Sequence, residues 1–121
     1  MGSLKRIDIT FFDGGLNISP WGLEVLQDEQ FEFALTFSAD IQRGGIYFKD
    51  STNRFFGGTD SQKLVNPGSL PNDPVVVEAV APNFNLPDDD DKVVCAYGVY
   101  GIRKVDGARV EIDPEIVVRK I

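Results

Sequence analysis

Hydrophobic and polar residues alternate with a period of two along much of this chain. Ile7, Ile9 and Phe11 alternate with Asp8 and Thr10, and Phe31, Phe33, Leu35 and Phe37 alternate with Glu32, Ala34, Thr36 and Ser38. Successive side chains of an extended strand point to opposite faces, so each run sets one face toward a core and the other toward solvent or small neighbours. The second run carries its four large apolar side chains on one face and predicts a central core strand. Further strands are expected at residues 23–26 and 45–49. Another is expected at residues 74–81, where β-branched residues bounded by prolines favour a strand over a helix. Residues 93–105 form a long run with Val93, Cys95, Tyr97 and Val99 on one face, expected to bend or bulge near Gly98 or Gly101. Val110 and Ile112 begin the last run, which resumes after Pro114 with Ile116 and Val118.

Turn chemistry punctuates these runs. Asp106-Gly107 tolerates the positive φ angles of a hairpin and predicts pairing of the last two runs. Gly14-Gly15, Gly44-Gly45 and Gly57-Gly58 read as turns, and residues 62–73 as the longest loop. Single helical turns are expected at residues 27–30 and 60–63. Pro114 cannot donate to a ladder, which predicts an edge, a bulge or a switch between sheets. No segment sustains a 3.6-residue period. Seven or eight short strands at this spacing predict an all-β fold: one antiparallel β-sandwich domain over residues 1–121, with a compact barrel as the alternative. Met1-Gly2-Ser3 reads as a cloning remainder.

The stretches NISPWGLEVLQDEQFEF, residues 17–33, and YGIRKVDGARVEIDPEIVV, residues 100–118, resemble the first and last strands of small bacterial proteins with an immunoglobulin-like or cupredoxin-like sandwich. The resemblance covers about a third of the chain and centres on Asp113-Pro114-Glu115-Ile116. It implies a fold and no activity. Blue-copper members hold their metal through His and Cys, whereas Cys95 has no His partner anywhere in this sequence.

Composition narrows the function classes. The chain has 121 residues and a net charge of −7, which disfavours nucleic acid and anionic membrane surfaces as partners. No apolar run approaches the ~20 residues that span a bilayer. No apolar signal core follows Met1, and the compartment stays open. Histidine is absent, which removes Ser-His-Asp and Cys-His catalysis, the usual zinc sites and type 1 copper sites. The single cysteine, Cys95, cannot form an internal disulfide and reads as an inert, packed thiol within an apolar strand.

Two sets of residues remain as candidate sites. No cofactor is expected; the one alternative is calcium, to which the run Asp88-Asp89-Asp90-Asp91 could supply Asp88 and Asp90. It lacks the D-x-D-x-D-G spacing of an EF-hand and reads first as a solvated turn. Trp21, Phe55, Phe56 and Phe84 lie beside turn residues and could stack on a sugar or anchor a partner protein, or instead close one end of the core. Arg43 and Arg54 flank Gly-Gly pairs and could meet an acidic ligand. The reading is a non-enzymatic binding or structural module for a protein or carbohydrate, or for copies of itself. The alternatives are a calcium-dependent carbohydrate-binding or enzymatic domain using residues 88–91, and an assembling virion or secretion-apparatus subunit.

Overall fold

A computed structural model describes residues 4–57, 60–68, 73–84 and 91–120. Its ten strands are β1 (Lys5–Phe12), β2 (Gly15–Ser19), β3 (Gly22–Leu26), β4 (Gln30–Phe37), β5 (Ile41–Phe48), β6 (Gln62–Val65), β7 (Val75–Val80), β8 (Lys92–Arg103), β9 (Arg109–Ile112) and β10 (Glu115–Arg119). One sheet has the order β2-β1-β4-β7; the other has the order β3-β10-β8-β5-β6, with β9 also paired to β8. The two sheets pack face to face around one apolar cluster and do not close into a barrel. Among the described residues there is no helix, so none is long and apolar enough to cross a membrane.

The alternation at residues 31–37 does what its period dictates. Phe31, Phe33, Leu35 and Phe37 are all buried, and β4 lies between β1 and β7. Opposite them in the other sheet, Cys95, Tyr97 and Val99 of β8, with Ile116 and Val118 of β10, complete the core. Aromatic rings fill the space between the layers. Phe48 stacks on Phe55 with centroids 4.0 Å apart, and Phe11 stacks on Phe37 at 4.6 Å. Offset and edge-on ring pairs add about 0.5–1.5 kcal/mol each beyond their buried area.

The sheets are mixed, because β1 runs parallel to β4 and β3 parallel to β10. Both parallel pairs arise where the chain leaves one layer and returns to it. β2 pairs with β1 in the first sheet, β3 pairs with β10 in the second, and the chain crosses between layers at Pro20-Trp21. The strand expected at residues 23–26 is β3; β2 had no expected counterpart, and with β6 it raises the count from seven or eight to ten.

Local expectations shift at five other places. The region read as a long loop contains β6, which pairs with Gly44–Tyr47 of β5. Gly44 and Gly45 lie buried inside β5 rather than in a turn, because neighbouring rings occupy the space their side chains would need. The irregularity expected at Gly98 or Gly101 lies in the partner strand, between Ile41 and Arg43, while β8 stays in register. Pro114 shifts no register either: Val99 opposes Ile112 and Ala96 opposes Glu115. It marks the point where the last run passes from β9 into β10, which gains β3 as a second neighbour. Where a helical turn was expected at residues 27–30, residues 26–29 form a β-turn with Asp28 at φ 64°, closed by Glu29 N–H donating to Leu26 O at 3.1 Å. The Asp106-Gly107 hairpin joins β8 to β9 as expected, with Gly107 at φ 69°.

Candidate functional site

Strands β6 and β7 are the last strands of their sheets, and each pairs on one side only. A cleft of about 560 Å³ opens between them. Its apolar lining comes from Phe56, Val65 and Val77, and its rim carries Asp60, Lys63 and Glu78. The alternation of β7 explains this placement: Val77 and Ala79 turn inward, while Val76, Glu78 and Val80 turn out. Pro74 and Pro82 bound the strand, so its edge is only six residues long. The volume lies within the usual 300–1,000 Å³ range of ligand sites. An unpaired strand edge also offers backbone N–H and C=O groups to an extended segment of another chain.

A second concentration of polar chemistry lies on the outward face of the larger sheet. Tyr47 of β5 stands opposite Gly98 of β8, and Tyr100 of β8 stands opposite Gly45 of β5. Each ring lies over the opposing glycine, where an added Cβ would fall 2.4 Å from ring atoms. The two ring centroids are 6.2 Å apart. Arg109 of β9 places its guanidinium carbon 4.0 Å from the Tyr100 centroid and 5.6 Å from that of Tyr47. Glu111 ties the group together: it accepts from the Tyr47 hydroxyl, and from Arg109 Nε at 2.6 Å. Its charge favours the neutral phenol, so the hydrogen bond to Glu111, helped by burial, pushes the Tyr47 pKa up. No sequence expectation included this cluster. Its signal is a repeated triplet, GIY at residues 45–47 and GVY at 98–100, which antiparallel pairing converts into two reciprocal Gly-Tyr pairs.

The aromatic residues singled out from the sequence do not come together. Phe55 and Phe56 are core residues, at 0% and 5% exposure, and their rings pack against Phe31, Phe33 and Phe48. Phe84 is half-buried against the same core, with its backbone N–H donating to Gln27 Oε1 at 2.9 Å. Trp21 alone is largely exposed, at 52%, on the crossing between β2 and β3. Asp88 and Asp90 lie outside the described residues. Asp91 lies 3.8 Å from the Arg119 guanidinium, and among the described residues no group of three or more acidic or thiol side chains is placed to hold a metal ion. Arg43 is exposed on the same face as Tyr100, and Arg54 is exposed between Asn53 and Phe55. Cys95 is buried in the core, and burial pushes its thiol pKa up to about 11.

The chain matches no known protein-family model, and no curated protein is similar to it.

Proposed function

We propose that this chain is a non-enzymatic binding module that receives an extended segment of a partner protein in the cleft between β6 and β7. The observation that carries this reading is the juxtaposition of two one-sided strand edges across a 560 Å³ cleft with an apolar floor. A peptide laid along either edge gains main-chain hydrogen bonds, and its alternate side chains reach Phe56, Val65 and Val77. The charges at the rim, Lys63 against Asp60 and Glu78, would set its direction.

The non-enzymatic part of the proposal draws on the side-chain inventory. The sequence has no histidine, and its one thiol is buried and held protonated well above neutral pH. The prominent carboxylates Glu24, Glu32 and Glu111 are engaged by Arg119, Arg6 and Arg109. A calcium-dependent role would rest on Asp88 and Asp90, and a titration with calcium that raises the melting temperature would establish it. Self-assembly through the same edges is the assembling-subunit version of the proposal, distinguished by the mass in solution. The two-layer all-β architecture supports the proposed affinity with copper-free immunoglobulin-like or cupredoxin-like proteins.

Selection from a library of linear peptides tests the cleft directly. Selected peptides are expected to slow amide exchange in β6 and β7. Peptides that bind while leaving those amides unprotected would remove the basis of the proposal.

A further inference from the structure

The edge of β7 that faces the cleft has a defined set of open main-chain groups. Ala81 N–H donates to Glu29 O at 3.0 Å, which continues the register of β7 with β4 and puts Val75, Val77 and Ala79 in its hydrogen-bonded pairs. Bonding direction alternates along an antiparallel pair, so Val76, Glu78 and Val80 turn their N–H and C=O groups away from β4. Val80 N–H is taken by Phe55 O at 3.0 Å. The ladder left for a guest strand therefore runs over Val76 and Glu78, bounded by Phe55 at one end and Pro74 at the other. β6 offers a poorer edge. It has four residues, and Lys63, opposite the core residue Ile46, sends its side chain toward the cleft. An inward-pointing charge on an edge strand deters pairing.

The side chains on the outward face beside this ladder favour one sign of charge. Glu78 stands directly opposite Glu32 of β4, in a non-hydrogen-bonded pair, where cross-strand side chains come closest. Like charges so placed repel. Glu32 is relieved from its other side by Arg6 of β1, whose Nη2 and Nε reach Glu32 Oε1 at 2.7 and 2.9 Å. Glu78 is exposed, and among the described residues its carboxylate makes no hydrogen bond and no ion pair. The row across the sheet is thus Arg6, Glu32, Glu78 and then the open edge. The surrounding chain supplies no cation either: residues 64–91 hold six acidic residues and no Lys or Arg. Val76 and Val80 flank Glu78 on the same face, both exposed, and give apolar ground for a long aliphatic stem.

We propose that the segment received along β7 is cationic, with a Lys or Arg beside Glu78 and, next to it in sequence, an apolar residue facing the cleft. This rests on the proposed binding role and adds the chemistry of the partner. The cation completes the row by meeting Glu78, and its stem packs on Val76 and Val80. The neighbouring residue turns to the other face, where Phe56, Val65 and Val77 give it apolar contact and Lys63 disfavours a second cation. A charge on an open edge deters strands of like charge, so Glu78 admits a cationic strand and turns away an acidic one. A second copy of this chain is the poorer occupant. β7 contains no cation, and two β7 edges would set carboxylates against each other.

Two probes test this: a blocked heptapeptide with valine on either side of a central lysine and threonine elsewhere, and the same peptide with glutamate at its centre. Amide shifts and hydrogen exchange of isotope-labelled protein read the binding. The lysine peptide is expected to bind about fivefold tighter than the glutamate peptide, the difference between one cross-strand ion pair and one like-charge pair. It should slow exchange at Val76 and Glu78, and added salt should shrink the ratio. Glu78→Gln is expected to abolish the preference and Glu78→Lys to reverse it. Both variants relieve Glu32, so their urea midpoints should match or exceed that of the wild type. A lower midpoint would show Glu78 already held by a partner group and overturns the proposal. Equal affinity of the two peptides for the wild type, or a preference that Glu78→Lys leaves in place, overturns it too. In that case, slowed exchange at Val76 and Glu78 with both peptides leaves the binding role itself standing. Should neither peptide slow those amides, the cationic partner and the β7 site fall together. A dimer in solution whose β7 amides exchange slowly without peptide also overturns the proposal, with a second copy as the occupant.

Discussion

The Tyr97 hydroxyl is fully buried and has no hydrogen-bond partner among the described residues. Its ring packs edge-on to Phe33 at 5.8 Å and against Phe48 at 5.2 Å, so the side chain serves the core as a phenylalanine would. A buried polar group without a partner costs about 1–3 kcal/mol. Tyr97→Phe is therefore expected to raise stability by about 1 kcal/mol, read from the midpoint of urea unfolding. Cys95, two residues earlier on the same face of β8, makes a different prediction. Burial raises its pKa from 9.0 to about 11, so the folded state keeps a proton that the unfolded chain releases first. The stability it contributes is complete below pH 9 and is lost as pH rises toward 11. The slope approaches about 1.4 kcal/mol per pH unit for one group. Unfolding midpoints at pH 8, 9 and 10 (~one-unit steps) should fall in the wild type and fall less in Cys95→Ala. Equal slopes in the two proteins would show that the thiol is not the group responsible.

At the scale of the element, the glycines of β5 and β8 separate packing from surface shape. Gly101 faces the core, where an added Cβ would sit 2.7 Å from the Phe11 ring, itself held against Phe37. Gly98 faces outward, where the Cβ would meet the far end of the Tyr47 side chain, which can swing into solvent. Gly101→Ala is expected to cost about 1–3 kcal/mol, as overpacking of a filled core does. Gly98→Ala should cost less and instead displace Tyr47 from Glu111, visible as a lowered tyrosine pKa in an ultraviolet titration. The strands themselves were legible wherever the period of two was clean, as at residues 7–11 and 31–37. β6 was not, because Gln62-Lys63-Leu64-Val65 is too short and polar to alternate visibly, and it is a strand only because β5 supplies the ladder. Gly44-Gly45 misled for a related reason. Paired glycines signal a turn when read along the chain, but here they make room for Phe37 and Tyr100 reaching in from elsewhere.

For the whole molecule, the sandwich is asymmetric at its sides. On one side the chain itself crosses between layers from β2 to β3; on the other, β6 and β7 leave the cleft open. β4 and β8 are flanked on both edges and carry much of the core, whereas β6 has one neighbour. Native-state hydrogen exchange should accordingly be slowest in β4 and β8 and fastest in β6, since local opening follows contact density and backbone pairing. Protection of β6 equal to that of β4 in the free protein would mean that the edge is already covered in solution.

The sequence by itself determined that this chain builds strands with one apolar face, because a side-chain period of two is a local property that each segment carries alone; that they form two open layers and no closed barrel is seen only in the order of the strands. It also determined that histidine chemistry is absent and that the only thiol belongs to an apolar strand. Tertiary structure alone decided that β1 and β3 join parallel neighbours, that Phe55 and Phe56 belong to the core, and that β6 and β7 end their sheets across a cleft. It also decided that two Gly-x-Tyr triplets 53 positions apart form one surface cluster. Each of these depends on which strand lies beside which and in what register. Register is fixed by the fit of distant side chains, so no single stretch of sequence can state it.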